Sequence, residues 1–353
     1  MAPETSTHSS VVINLAVACA EALGLGVAAW VSSSVALGAQ TADSAADVAV
    51  EVFLLIGVVS SARAADDSHP LGYGRERFFW SLLAALGIFI GGGGLGLEEA
   101  VQSVLHPSAV HDYLIAYVVL GATIALDTFA LAVVLRPLLK HTAGRGRSLR
   151  RHIQRSTDPA STTLLLSGGC EVIGGFVAAA GLAVGQLTGS STPDAVASGV
   201  IGLLLLVISV LLLRTNRELL TGRGLPPPVL DEIRQVVAAQ LGVLEVPDLF
   251  GVVVGPSSFI VDGDVIFNDD MDIPAVEATI VNAAAALRQR WPSIEYLYLT
   301  PVGAARPRRT ARSSATTLGG TVVAMAGAGP PEVRSVPVAT TTPSTSPEKT
   351  ALS

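Results

Sequence analysis

Charge is scarce in this chain. Only 14% of its 353 residues are Asp, Glu, Lys or Arg, while 50% are hydrophobic and mean hydropathy is +0.56. That balance excludes an ordinary water-soluble enzyme and points to an integral membrane protein. Cysteine is scarcer still: Cys19 and Cys170 both fall in apolar runs, with no spacing that suggests a disulfide framework or a metal knuckle. Histidine is absent from every predicted helix core, although six occur in the chain. No nucleophile and base stand in a recognisable motif, so no enzymatic activity is expected, and no nucleic-acid partner either. The opening MAPETSTHSS lacks the positive stretch of a cleaved signal, so the first apolar run is expected to be a retained helix.

What is abundant is apolar sequence in long runs. A bilayer crossing takes about 20 mostly apolar residues, and six stretches qualify, near 11–32, 36–61, 79–104, 112–136, 161–187 and 194–214. The basic residues fall in alternate connections. Arg63, Arg75 and Arg77 lie between spans two and three, KHTAGRGRSLRRHIQR lies between four and five, and Arg214, Arg217 and Arg223 follow six. The remaining short connections, SSSV, HPSAVHD and GQLTGSSTPD, carry no Lys or Arg. By the positive-inside rule both termini are expected in the cytoplasm, with the plasma membrane of a bacterium as the expected location.

Beyond the spans the pattern changes. VLDEIRQVVAAQL has helical periodicity, DLFGVVVGPSSFIVDGDVIF reads as two strands around Gly-Pro-Ser-Ser, AVEATIVNAAAALRQRW is a second helix and IEYLYLT a closing strand. This order predicts a small α+β domain with two helices on one face of a sheet. The expected organisation is an N-terminal tail over 1–10, a six-helix membrane domain over 11–224, the α+β domain over 225–303 and a disordered tail over 304–353, where Arg, Gly, Ala, Pro, Thr and Ser leave little to form a core. The basic start of that tail is suited to anionic lipid.

The chemistry-bearing residues are acids inside the spans. Asp43, Asp47 and Glu51 follow one another at helical-turn spacing in QTADSAADVAVEVFLLIG. An ionisable group within a bilayer costs a few kcal/mol on insertion scales, so it is a functional candidate by default. The bland alternative is a protonated acid bonded to a neighbouring helix, or one near an interface. Glu171 in span five, Asp127 in span four and Glu21 in span one are further acids near mid-span, whereas Glu98 and Glu99 fall toward the outer end of span three, where water is close. Outside the spans, NDDMD with Asp269, Asp270 and Asp272 has no histidine beside it and reads as a solvated turn.

DDSHPLGYGRERFFW at 66–80 resembles the signature that follows the second helix of the cation diffusion facilitator family, and is especially similar to its mitochondrial-type zinc transporter branch. LHP after span three, STDPAST before span five, GQLTGSSTPDAVAS before span six and RTNRELLTG after it extend the resemblance over roughly residues 10 to 303. The resemblance implies six transmembrane helices with a cytoplasmic ferredoxin-like α+β domain. It also implies a homodimer that exports a divalent metal, usually Zn²⁺, in exchange for protons, with no permanently bound cofactor.

In that family a pair of ligands on the second helix meets a pair on the fifth. Here Asp43 and Asp47 match the first pair, but Leu164 and Gly168 stand at the other two positions, and Ser167 where the related branch carries an acid. Glu171, three residues on, still points broadly inward, so Asp43, Asp47 and Glu171 form the expected transport site. Glu51, which matches no family ligand, suits a supporting role or the access path. Asp127 matches a position where the family often has an acid; Glu21 replaces a residue that is often Lys. An all-oxygen set suits harder ions such as Mn²⁺ and loosens discrimination, so Mn²⁺ and Fe²⁺ stand beside Zn²⁺ as cargo. Asp66 and His69 match a cytoplasmic metal position of some relatives, but Tyr73 at the third position is a poor ligand. A structural loop is therefore preferred there, with Arg75 and Arg77 anchoring at headgroups. The altered span five also leaves open a transport-deficient homologue with a structural or regulatory role.

Overall fold

The computed structural model describes residues 3–32, 35–106, 113–143, 158–190 and 192–303. Six helical spans lead the chain: α1 (Pro3–Ser32), α2 (Val35–Ser61), a third built from α3 (Glu76–Ile88), a π-helical turn (Phe89–Leu95) and α4 (Gly96–Leu105), then α5 (Tyr113–Ala143), α6 (Pro159–Thr188) and α7 (Thr192–Leu220). All six are long and apolar enough to cross a membrane. The expected spans are all present. α1 begins at Pro3, so residues 3–10, expected as a tail, are helical. The tail expected over 304–353 lies outside the described residues.

Local sequence explains the boundaries of α6. Pro159 occupies the first turn, where its missing N–H costs nothing, and Gly189 at φ +66° ends the helix in the left-handed conformation that glycine tolerates. The π-helical turn FIGGGGL in the third span was not foreseen. Its glycines allow close approach: a Cβ on Gly93 would stand 3.2 Å from the backbone nitrogen of Leu206 on α7.

The α+β domain follows as α8 (Pro227–Ala238), β1 (Val243–Val253), β2 (Phe259–Phe267), α9 (Ile273–Arg290) and β3 (Ile294–Pro301). The sheet order is β1-β2-β3, antiparallel between the first two strands and parallel between the last two. The hairpin closes over Gly-Pro-Ser-Ser as expected, with the Gly255 and Ser258 backbones bonded to each other. Val261 and Val265 of β2 are buried in one core with Ile233 and Val237 of α8 and Ala283 and Leu287 of α9, so both helices cover one face. On the other face Phe250 and Tyr298 flank Asp262 in register and are exposed. Asp272 caps α9 by accepting from the Ala275 N–H at 2.9 Å, and Asp269 and Asp270 are exposed, in keeping with a solvated turn.

The domain is joined to the membrane helices by packing as well as by the chain. Phe78 of α3 and Leu219 of α7, both fully buried, belong to the domain's own core. The Tyr296 hydroxyl donates to the Pro70 carbonyl at 2.8 Å, and the absence of a side chain at Gly74 lets the loop approach Val254 and Gly255.

Candidate metal-transport site

The acids singled out in the spans come from separate helices: Glu21 from α1, Asp43, Asp47 and Glu51 from α2, Asp127 from α5 and Glu171 from α6. The fold brings five of them together. Glu171 lies within electrostatic reach of Asp47, Asp127, Glu51 and Glu21, and Asp127 within reach of Glu21 and Asp47. Glu21 and Asp127 thus join the same group as Glu171. Asp43 lies on α2 one turn from Asp47, and its side chain lies outside the described residues.

Accessibility grades across the group. Asp47 and Glu171 are exposed, Glu21 and Asp127 are half-buried, and Glu51, nearest the side that carries the α+β domain, has one fully buried oxygen, Oε2, with no hydrogen-bond partner among the described residues. Among the described residues no three His, Cys, Asp or Glu side chains stand close enough to hold a metal ion. The acids share a region but not a preformed coordination shell.

The α6 positions that lack ligands are occupied by packing. Leu164 is 3% exposed and belongs to an apolar cluster with Leu54 and Val58 of α2 and Leu212 of α7. Gly168 is buried, and a Cβ there would meet only Leu131 at 3.7 Å, an ordinary contact. The two departures from the family pattern thus differ: one position is filled with hydrocarbon, the other has room. Cys170 is buried as a free thiol.

The loop site closes on itself. Asp66 Oδ1 accepts from the Ser68 hydroxyl at 2.6 Å, the Ser68 N–H at 3.0 Å and the His69 N–H at 2.8 Å, while Oδ2 accepts from the Tyr73 hydroxyl at 2.8 Å. Those donors hold the Asp66 carboxyl well below the usual carboxylate range, the Ser68 hydroxyl contributing most and Tyr73 next. The His69 ring lies 4.1 Å from that of Tyr73, and Arg63 covers Tyr73 at 4.2 Å. A carboxylate already serving four donors is a poor start for a metal site, and the arrangement favours the structural reading.

One expectation is corrected. Arg75 is exposed and free to meet headgroups, but Arg77 is buried at 2% exposure and cannot. Its Nε donates to Ser61 Oγ at 3.0 Å and it pairs with Asp158, just ahead of α6. Sequence reasoning missed this role because Asp158 is 81 residues away; the one available signal was an acid in STDPAST beside the start of an apolar span.

A family model described as the cation efflux transmembrane domain matches residues 8–221. The chain belongs to the cation efflux family, that is, the cation diffusion facilitators. It is similar to metal tolerance protein C4 of Arabidopsis thaliana, 34% identical over 242 residues, covering 69% of this chain and 53% of that one. It is also similar to the mitochondrial proton-coupled zinc antiporter SLC30A9 of Homo sapiens, 28% identical over 222 residues, covering 63% and 39%. The cation-efflux pump FieF of Escherichia coli O127:H6 is 27% identical over 291 residues, covering 80% and 89%. The chain thus spans about half the length or less of the first two relatives. Divalent-cation transport, not enzymatic catalysis, is the activity of this family.

Proposed function

We propose that this protein exports a divalent cation from the cytoplasm in exchange for protons, Zn²⁺ first and Mn²⁺ or Fe²⁺ as further cargo, using Asp43, Asp47 and Glu171 as the transport ligands. Glu21, Glu51 and Asp127 support them, and Asp66 and His69 shape the loop. The observation that carries this reading is the meeting of Asp47, Glu171, Asp127, Glu51 and Glu21 from four membrane helices. Acids in hydrocarbon are costly unless they work. Ligating carboxyl groups must give up their protons to bind metal, so cation release and proton uptake are linked at the same residues. The names of the relatives, a zinc antiporter and a cation-efflux pump, favour the same reading.

The side that carries the α+β domain is the cytoplasm, by the basic connections found there, and the membrane is a bacterial plasma membrane. The domain over 225–303 pairs with that of a second copy through its uncovered sheet face, giving a two-fold homodimer. The membrane domain then runs from the start of α1 to residue 224, ahead of the α+β domain over 225–303.

Sealed vesicles with an imposed pH gradient test the transport reading. The parent should move Zn²⁺, Mn²⁺, Fe²⁺ or Co²⁺ with counter-flow of protons, and Asp47→Asn, which keeps volume and removes charge, should abolish both. A single cysteine at Ser108 should react with an impermeant reagent from outside and one at Ser148 should not. The second reading, a transport-deficient homologue, draws on Leu164 and Gly168, and it stands if parent and Asp47→Asn are equally inactive toward all four ions.

A further inference from the structure

Between the acid group and the cytoplasmic side lies a dry zone. Leu54 and Val58 of α2, Leu164 and Leu165 of α6, Val134 of α5 and Leu212 of α7 are each at most 9% exposed and pack as one cluster. Asp47 and Glu171, on the far side of it, are exposed. On the cytoplasmic rim stands a part-buried ion pair: Arg77 Nη1 lies 3.4 Å from Asp158 Oδ1, with side chains 3% and 20% exposed. Through its Nε, Arg77 also holds Ser61, the last residue of α2. Asp158 Oδ2 accepts from Ser161 on α6 at 2.7 Å and from Thr7 on α1 at 2.9 Å. One guanidinium on α3 therefore ties the cytoplasmic ends of the two helices that carry the expected transport ligands.

Two observations argue against a purely static clamp. A charge-assisted N–H···O bond prefers about 2.7–2.9 Å, so the 3.4 Å separation is a loose contact for a buried charge. Buried ion pairs are in general weak sources of stability compared with apolar packing. Just deeper than the pair, Ser81 Oγ and Thr163 Oγ1 are buried without a hydrogen-bond partner among the described residues. Ser81 is one turn along α3 from Arg77, and Thr163 five residues beyond Asp158. Dry, unpartnered hydroxyls are costly where they stand and would be satisfied by water if the rim opened.

We propose that Arg77 and Asp158 are the cytoplasmic latch of the transport path, and that this structure is the state in which the latch is shut. Releasing the pair separates α6 from the ends of α2 and α3, wets Ser81 and Thr163, and admits the cation past Leu54 and Val58. The two are positioning residues: they touch no cargo, and act by setting how often the path is open to the cytoplasm. The inference rests on the transport reading above.

The test uses the full chain in inside-out vesicles, in a Cys19→Ala, Cys170→Ala background, with an impermeant maleimide added on the cytoplasmic face. Leu54→Cys reports the path, and Leu182→Cys, buried at 7% in the outer half of α6, reports general loosening. Asp158→Asn should speed alkylation at Leu54→Cys about tenfold, which requires a bias of only about 1.4 kcal/mol, and leave Leu182→Cys slow. Asp158→Glu, which keeps the charge, should retain the slow rate. Should Asp158→Asn fail to fold, Ser61→Ala removes one tie only and should give a smaller acceleration. Equal rates at Leu54→Cys in parent and released variant would overturn the latch, as would parallel acceleration at Leu182→Cys. Because alkylation needs no turnover, a latch that responds while Asp47→Asn changes nothing in transport would sink the transport reading and leave the device standing.

Discussion

Asp66 takes the hydroxyl of Tyr73 at 2.8 Å, and the other face of that relationship is Arg63, stacked over the Tyr73 ring at 4.2 Å. The loop between the second and third spans is thus wound around one carboxylate. Because its donors depress the Asp66 pKa, the stabilisation is fully present above the ordinary carboxylate range and is lost as pH falls through the depressed value. Tyr73→Phe and Asp66→Asn should each lower the melting temperature at neutral pH, by an amount that shrinks in acid. Calorimetric Zn²⁺ titration should show no high-affinity event that either change removes. Loss of a tight Zn²⁺ site in Asp66→Asn would restore the metal-binding reading of this loop.

The two altered positions on α6 predict opposite responses. At Gly168 a new side chain meets only Leu131 at contact distance, so Gly168→Asp should fold normally and add a carboxylate three residues from Glu171. Leu164→His would place an imidazole in the apolar cluster with Leu54 and Leu212, losing packing and burying polar nitrogens. A cost of about 2–5 kcal/mol follows for removal of a buried leucine, with further loss if the ring finds no partner. The comparison is read from thermal unfolding in detergent, and then from Zn²⁺ over Mn²⁺ preference in vesicles for Gly168→Asp. Equal stability of the two variants would mean that Leu164 contributes little to the apolar cluster.

These cases mark what a sequence can reveal. The six spans, the Gly-Pro-Ser-Ser hairpin and the helix periods of the α+β domain are written in local pattern, and they stand in the structure where the pattern puts them. Asp47 and Glu171 were legible because a charge inside an apolar run is conspicuous. Arg77 was not: an arginine flanking a span looks the same whether it meets a lipid headgroup or Asp158, and only the packing of α3 against α6 decides. The π-helical turn at Phe89–Leu95 was equally hidden, since one extra residue per turn leaves hydropathy unchanged. Nor could sequence say that Leu164 fills space while Gly168 leaves it.

Glu51 presents the balance between function and stability. Its buried Oε2 has no partner among the described residues, and an unsatisfied buried polar atom costs about 1–3 kcal/mol. Glu51→Leu should therefore raise the melting temperature or leave it unchanged while reducing transport, the trade expected where an acid is kept for its work. Glu51→Gln preserves shape and separates charge from volume. A lower melting temperature with intact transport in both variants would make Glu51 a structural residue.

The last relationship concerns how the α+β domain is held. Phe78 is fully buried in the core that contains Ile233, Val253, Val261 and Leu287, yet it belongs to α3, one residue beyond Arg77. A movement of α3 at the latch therefore reaches the domain through an adjacent side chain. Phe78→Ala should cost about 3–5 kcal/mol, the usual range for a buried phenylalanine, and the loss should fall on the junction. Gly74→Ala perturbs the same junction by another route: its Cβ would stand 2.8 Å from the Val254 carbonyl oxygen and 2.9 Å from Gly255 Cα, too close without a shift of backbone. Both variants should become sensitive to limited proteolysis in the 221–226 connection, while the membrane helices retain their helical circular dichroism. Phe78→Ala should also separate unfolding into two transitions, because the shared core that makes domain and bundle cooperative has lost its largest member. A single transition at a lower temperature, with the connection still protected, would show that the domain is held chiefly by Leu219 and the Tyr296–Pro70 bond, and that α3 does not transmit movement to it.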